Sequence, residues 1–468
     1  MTSPSSIMSL LNTQTAGVLT DEIKVEVRAE VATAIRAKFA IEILRAPTDA
    51  QRNEVRSEIL RLTGIAVRKR GLSSVPYADE QKLGEDIASR LLGLGFLDKL
   101  LPPVRRDISE IALDSFGTLW IKRKGERDFE PLLDLQPDTI EVDTVFSMLF
   151  GQQLKAYSEA NPSVNATLPR TKDNPGGGRI KYIHPVISQG AGFPSINIRL
   201  FEPEPVKPDR LLEWKMLDEP ALDVLSQLVR RGARGLIAGG TSSGKTTMLS
   251  MLCNFLPIQS RILTIEDPQE IWIDAPHVVT LQARPVSPGS ELKPYLIRDG
   301  VDDAMRMTPD FLIVGEVRDG HAAQGLFRAM MSDHPGMTTF HAESPPLVVE
   351  RVALLLESDT HTSETAARRM FSAAVDWILQ IGFEAGRRRV FRLVEVNEGL
   401  TDGQVTFNPL VEYDGNMVWR VVGAPKRKRG HTVATPDRWQ EILRLDDELR
   451  ARFAPVIERR RRAFKAVL

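Results

Sequence analysis

The chain has 468 residues, 42% hydrophobic and 26% charged, with a net charge of −1. The length exceeds one ordinary core and predicts two to four domains, the composition is that of a soluble globular protein, and the near-zero charge excludes a general nucleic-acid coat. A single cysteine, Cys253, excludes an intrachain disulfide and reads as a core residue in a reducing cytoplasm.

Residues 1–20 are rich in Ser and Thr, lack the basic-then-apolar layout of a signal peptide and predict a mobile N-terminus. No run reaches the length of a membrane span, so any membrane link is expected to be peripheral, through a partner or a surface. Three amphipathic helices follow within 21–100. Their apolar stripes are Val27, Val31, Ile35 and Phe39, then Val55, Ile59 and Leu62 before a C-capping Gly64, then Leu83, Ile87, Leu91 and Leu94. They predict a three-helix appendage, for packing alone or for docking a partner. Residues 105–205 read as an α+β domain with strands near 108–112, 118–122, 180–183 and 195–199 and a loop at 174–178. Pro194, Pro203, Pro205, Pro208 and Pro220 surround a semi-rigid linker placed at 206–214. Residues 215–424 alternate strands and helices as a parallel-sheet α/β domain does, with an antiparallel edge at 390–396, 405–413 and 417–422. The tail, 425–468, carries 13 Lys and Arg against 6 Asp and Glu, and Trp439, Ile442, Leu449 and Phe453 form one helical face. It reads either as a solvated basic helix or as a contact to anionic lipid or a membrane partner.

The α/β domain contains Gly239-Gly240-Thr241-Ser242-Ser243-Gly244-Lys245-Thr246, a P-loop between an apolar strand and an apolar helix that begins with Thr247. Glycines admit close approach of the backbone, and N–H groups at the helix start point at phosphate. Lys245 suits the terminal phosphates of ATP, and the Thr246 hydroxyl suits Mg2+. Hydrolysis also needs acids near the terminal phosphate. Glu266, Asp267 and Glu270 end one apolar strand, and Glu316 follows Gly315 at the end of another, where ligands of open α/β sheets collect. Glu266, Asp267, Glu316 and Thr246 are the magnesium candidates. His334 and His341 flank a Gly/Thr turn and are placed to bond phosphates or report nucleotide state. No Cys or third His lies near them, which argues against zinc.

The order of P-loop, Ile265-Glu266-Asp267-Pro268-Gln269-Glu270, Val314-Gly315-Glu316-Val317-Arg318 and the two-histidine box resembles the type II/type IV secretion ATPase superfamily. Met305 to Asp310, His277-Val278-Val279, Arg284-Pro285 and the segment from Leu94 to Leu101 are similar to the CpaF-type motors of Tad (Flp) pilus assembly. Two stretches depart from the family pattern: Ser332-Asp333 before His334, and the basic tail.

The resemblance implies a RecA-like P-loop ATPase domain of class α/β, preceded by an α+β N-terminal domain and the helical appendage. It implies a cytoplasmic homohexamer that hydrolyses ATP with Mg2+ and works on inner-membrane platform proteins to assemble or retract a filament. In it Glu270 polarises water, Glu316 positions magnesium or its water, and His334 and His341 couple the phosphate site to movement. Arg199 and Arg179 match the arginines that the N-terminal domain supplies to the nucleotide, with surface ion pairing as their other reading. A conjugation or secretion ATPase shares all four boxes. A nucleic-acid motor is disfavoured by the charge and by the lack of an aromatic–basic pattern, so no nucleic acid is expected. A subunit that binds ATP only to assemble is the remaining alternative.

Overall fold

The computed structural model describes residues 19–40, 43, 49–72, 74–126, 128–152, 157–170, 174, 176–202, 204, 206–284, 286, 293–332, 334–427 and 436–466. The expected mobile N-terminus lies outside them up to residue 18. The chain forms two compact units: the first holds residues up to 124, 128–168 and 179–200, the second 125–127, 169–178 and everything from 201 on.

In the first unit, α1 (Asp21–Lys38) starts at Thr20, whose hydroxyl accepts the Ile23 amide at 3.4 Å. Val27, Val31 and Ile35 on α1 are buried against Val55 and Ile59 of α2 (Asp49–Lys69) and Leu83 and Ile87 of α3 (Tyr77–Leu92). Gly64 does not end its helix as expected. The buried stripe continues through Ala66 and Val67, and the helix runs on to Lys69. Gly64 and Gly84 serve close packing instead: a Cβ at Gly64 would lie 2.2 Å from Glu80 Oε1, and one at Gly84 2.6 Å from Leu60 Cδ2.

The same unit holds β1 (Ile108–Leu113), β2 (Leu119–Arg123), β3 (Glu130–Leu132), α4 (Thr139–Gln152), β4 (Ser163–Leu168), β5 (Gly178–Ile183) and β6 (Ser195–Leu200). The sheet runs β3-β2-β1-β6-β5-β4 and buries Ile111, Ile121 and Ile198 against Phe146 and Phe150 of α4. The predicted appendage and α+β domain therefore belong to one unit, though each keeps its own core. Arg90 of α3 links them, reaching Glu141 of α4 at 2.7 Å.

The second unit contains the predicted linker. Residues 208–213 are helical, α5 (Pro208–Glu213), and Leu211 is fully buried in the core, so 206–214 is part of the folded unit. There follow α6 (Glu219–Arg230), β7 (Gly235–Gly239), α7 (Lys245–Leu252), β8 (Ile262–Glu266), β9 (Val278–Gln282), α8 (Ile297–Ala304), β10 (Phe311–Val314), α9 (Gly320–Met331) and β11 (Gly336–Phe340). The rest is α10 (Pro345–Thr360), α11 (Glu364–Ala374), β12 (Trp377–Glu384), β13 (Arg387–Val396), β14 (Phe407–Tyr413), β15 (Trp419–Val421) and α12 (Pro436–Ala466). The nine-stranded sheet has the order β15-β14-β13-β12-β7-β11-β10-β8-β9. From β12 to β9 neighbours are parallel, and from β12 to β15 antiparallel. β8 and β9 are adjacent and parallel, yet residues 267–277 between them contain no helix.

α12 is not a detached tail. Ile457 is buried, Leu449 and Phe453 pack on the core, and Asp446 pairs with Arg230 of α6. The side chains of Trp439 and Ile442 lie outside the described residues. No helix among the described residues is long and apolar enough to cross a membrane.

One ion network is sealed inside this unit. Asp376, before β12, accepts the Arg234 Nη2 at 2.7 Å and pairs with Arg427 Nε at 3.2 Å. Arg234 and Asp376 are 5% and 4% exposed. Removing the shared anion would leave two enclosed cations, at a cost of about 3–5 kcal/mol. Asp376→Ala is therefore expected to lower stability by that amount, read as a shift in the urea unfolding midpoint.

Candidate nucleotide site

The P-loop is built where β7 meets α7. Gly239 must lack a side chain, since a Cβ would lie 2.5 Å from Ser243 Oγ and 2.6 Å from the Ile381 carbonyl of β12. Gly244 has φ 94°, which turns the chain into the helix. The Ser243 hydroxyl donates to the Gly240 carbonyl at 2.9 Å. Lys245 is largely buried, and its ammonium donates to the carbonyls of Gly239 at 3.1 Å and Gly240 at 2.8 Å. Thr246 and Thr247 are half-buried on the first turn, and Thr241 is exposed.

Register brings the acids to the same edge. Ala238 of β7 lies beside Phe340 of β11, and Val314 of β10 lies between Thr338 of β11 and Ile265 of β8. The carboxyl ends of β7, β11, β10 and β8 are thus level, and the P-loop, His341, Glu316 and Glu266 all emerge there. Glu316 is half-buried and pairs with Arg318 at 2.7 Å. The Thr339 hydroxyl donates to the Gly315 carbonyl at 2.8 Å and fixes the turn before it.

Glu266, expected among the magnesium candidates, is instead committed to the protein. It is 2% exposed, and its Oε1 accepts the amides of Glu270 at 3.0 Å and Ile271 at 2.8 Å. Burial pushes its carboxyl up to about 8, against the pull of those amides and of Arg170, while Glu270 adds to the rise. The carboxyl group therefore folds the segment bearing Glu270 back onto the end of β8. Asp267 is exposed and Glu270 half-buried.

The two histidines separate. His341 follows β11 at the P-loop edge, and its carbonyl accepts from Arg351. His334 precedes β11, at the opposite edge of the sheet, with its Nδ1 buried and without a hydrogen-bond partner among the described residues. A five-residue strand lies between them, so they are roughly 20 Å apart along the chain direction. Arg179 and Arg199 lie in the first unit, on neighbouring strands β5 and β6. Their ends are tied by the Phe201 amide donating to the Gly177 carbonyl at 3.1 Å.

Two arginines belong to the site without standing in any motif. Arg388 of β13 donates Nε to the Ser242 carbonyl at 3.0 Å, bracing the P-loop from the antiparallel edge. Arg170 donates Nη2 to the Gln269 carbonyl at 3.0 Å, and burial lowers it to about 10. Only strand register and chain path bring them there. A faint signal for the first is the basic triplet Arg387-Arg388-Arg389 after the Ala385-Gly386 turn.

Among the described residues, no group of three or more His, Cys, Asp or Glu is gathered to hold a metal. A nucleotide fits this edge: the loop is glycine-lined, and the Lys245 ammonium rests on the carbonyls of Gly239 and Gly240 at its base. Magnesium fits in the manner usual with nucleotides, through one hydroxyl, the phosphates and water rather than a protein cage.

The Glu266 carboxyl has a testable pH signature. Its ordinary value is 4.5 and its folded value about 8, so between these only the folded chain keeps the proton. Its contribution to stability is present in full below about pH 4.5 and is lost as pH rises through about 8. Glu266→Gln keeps an acceptor for the two amides and cannot ionise. Melting temperatures of wild type and variant across that window should therefore diverge in the variant's favour as pH rises, and parallel curves would count against this account.

Residues 180–380 match the family model described as "Type II/IV secretion system protein". The chain is 32% identical over 215 residues to an uncharacterized protein of Methanocaldococcus jannaschii, covering 46% of this chain and 37% of that protein. It is 28% identical over 293 residues to the conjugal transfer protein TrbB of Rhizobium radiobacter, covering 62% and 84%. It is 32% identical over 170 residues to the type IV secretion system protein VirB11 of Bartonella quintana, covering 36% and 47%. The chain spans 28–53% of the length of the first curated relatives it matches. The part of the chain that holds the P-loop, the acidic strand ends and both histidines is thus the part similar to type II/IV secretion system proteins.

Proposed function

We propose that this chain is a motor that hydrolyses ATP as a homohexamer at the cytoplasmic face of the inner membrane. It drives assembly or retraction of a Tad (Flp)-type pilus through inner-membrane platform proteins. The observation that carries the reading is the convergence of Lys245, Glu270 and Glu316 on one edge of the sheet, around a glycine loop at a helix start. The parallel strands β12 to β9 and the four sequence boxes support it.

Lys245 would exchange its carbonyl partners Gly239 and Gly240 for phosphate oxygens, and backbone amides from Thr241 to Thr246 would hold the rest. Thr246 would hold magnesium, which when bound neutralises phosphate charge. Glu316 would turn from Arg318 toward the metal's water, and Glu270 would orient the attacking water. Arg199 and Arg179 would neutralise charge developing on the phosphates, and His341 would pass the nucleotide state to β11. His334, at the far end of that strand, would take part only through the strand itself.

A second reading is the ATPase of a type IV secretion or conjugation system, which the conjugal-transfer and VirB11 relatives favour. A type II secretion ATPase shares the same boxes.

Turnover of ATP and mass in solution, measured for wild type beside Lys245→Ala, are the direct test. The wild type should form a hexamer with magnesium-dependent turnover, and the variant should lose it. Glu316→Gln should bind nucleotide much as wild type does and hydrolyse it about a hundredfold or more slowly. Undiminished hydrolysis by Glu316→Gln would remove that assignment, and a particle that binds ATP without turnover would favour an assembly-only subunit.

A further inference from the structure

The segment that bears Glu270 has no ladder of its own. Residues 267–275 are irregular, although Ile271, Ile273 and Ala275 are buried in the core. Buried carbonyls need donors, and in the absence of a sheet partner side chains must supply them. One comes from the P-loop helix: the Ser250 hydroxyl donates to the Trp272 carbonyl at 3.1 Å.

The others come from the far end of the chain. Arg450 of α12 donates to the Asp274 carbonyl at 3.2 Å and to the Asn254 carbonyl, just past α7, at 3.3 Å. Arg460, two to three turns further on, donates to the carbonyls of Ile273 and Ala275 and lies over the Trp272 ring at 5.8 Å. Arg461 grips the Asp274 carboxylate through Nε at 3.0 Å. The helix itself is held by Ile457 in the core and by the Asp446–Arg230 pair.

We propose that α12 is a strap that positions the Glu270 segment against the P-loop helix, with Arg450 and Arg460 as positioning residues for ATP hydrolysis. The proposal rests on the hydrolase reading above. Both arginines bond carbonyls at 254 and 273–275, outside the P-loop. Arg450 joins the carbonyl after the P-loop helix to the segment four residues beyond Glu270, so it sets the spacing between the phosphate cradle and the base. Arg460 fixes the next carbonyls and closes over Trp272. An angstrom of drift in a base costs orders of magnitude in the chemical step and little in binding.

The test uses the full chain with Arg450→Gln, Arg460→Gln and the double variant, and Arg459→Ala, an exposed neighbour on the same helix, as control. Each is measured for kcat, KM for ATP and amide hydrogen exchange. The expected result is a fall in kcat of about tenfold to a hundredfold in the double variant with KM within about twofold. Exchange should quicken at 267–275 and stay unchanged in β7 and β10. Arg460→Lys, which keeps a charged donor, should recover part of the rate, and the control should match wild type. Each single variant leaves the other arginine in place, so a fall in kcat is readable even if the double variant unfolds. Unchanged kcat in all three Gln variants, or a rise in KM that accounts for the whole loss, would overturn the strap while leaving the hydrolase reading intact. A wild type without turnover would overturn both.

Discussion

The second unit depends on how it connects two neighbouring parallel strands. β8 and β9 lie side by side, and a parallel pair must be joined by a crossover that leaves the sheet and returns. Most such crossovers are helices, which satisfy their own backbone. This one is an irregular segment, partly buried, whose polar groups must be met from outside. The solution shapes much of the unit. Glu266 turns its buried carboxyl on the amides of Glu270 and Ile271, Arg170 meets one carbonyl, Ser250 another, and two arginines of α12 take three more. An acid held above its ordinary range and a basic C-terminal helix are two answers to one requirement for hydrogen bonds.

The same requirement bears on the chemistry. A helix in this place would fix Glu270 by its own geometry. An irregular segment hands that task to side chains from distant parts of the sequence. The P-loop is treated similarly, since Arg388 from the antiparallel edge braces the Ser242 carbonyl. The buried Arg234–Asp376–Arg427 network holds the start of β12 beside β7, so the edge that supplies Arg388 stays in register with the strand that supplies the loop.

What could be read from the sequence follows the range of the interactions. The P-loop and the acids after β8 and β10 were legible because short segments encode them: an apolar run, then glycines or carboxylates. The antiparallel edge was legible as three strand-like segments in succession. β12 was not, because its run from Trp377 is buried on both faces and gives no period. α4 was missed because its largely apolar run, with an exposed Ile140, blurs the narrow polar side marked by Asp143 and Ser147. Gly64 misled because a glycine near a helix end usually signals a cap, whereas here it admits a neighbouring helix. The pairing of His334 with His341 failed on strand length, which puts residues seven apart at opposite edges of a sheet. The role of α12 was hidden because its partners are carbonyls, which no side-chain pattern announces.

The chain's path between its units has a consequence for how the protein can be divided. Residues 169–178 leave the first unit after β4, contribute Arg170 to the second, and return as β5 before the final departure at 201. The second unit is therefore assembled from pieces that no single cut can release together. Proteolysis at 200 would free a fragment carrying the P-loop but stripped of the arginine behind Gln269 and of the Gly177 carbonyl that receives the Phe201 amide. By the same logic, recombination that exchanged one half of the gene for a relative's at that point would break contacts inside a unit rather than between units. The two bodies are distinct in their packing and inseparable in their heredity.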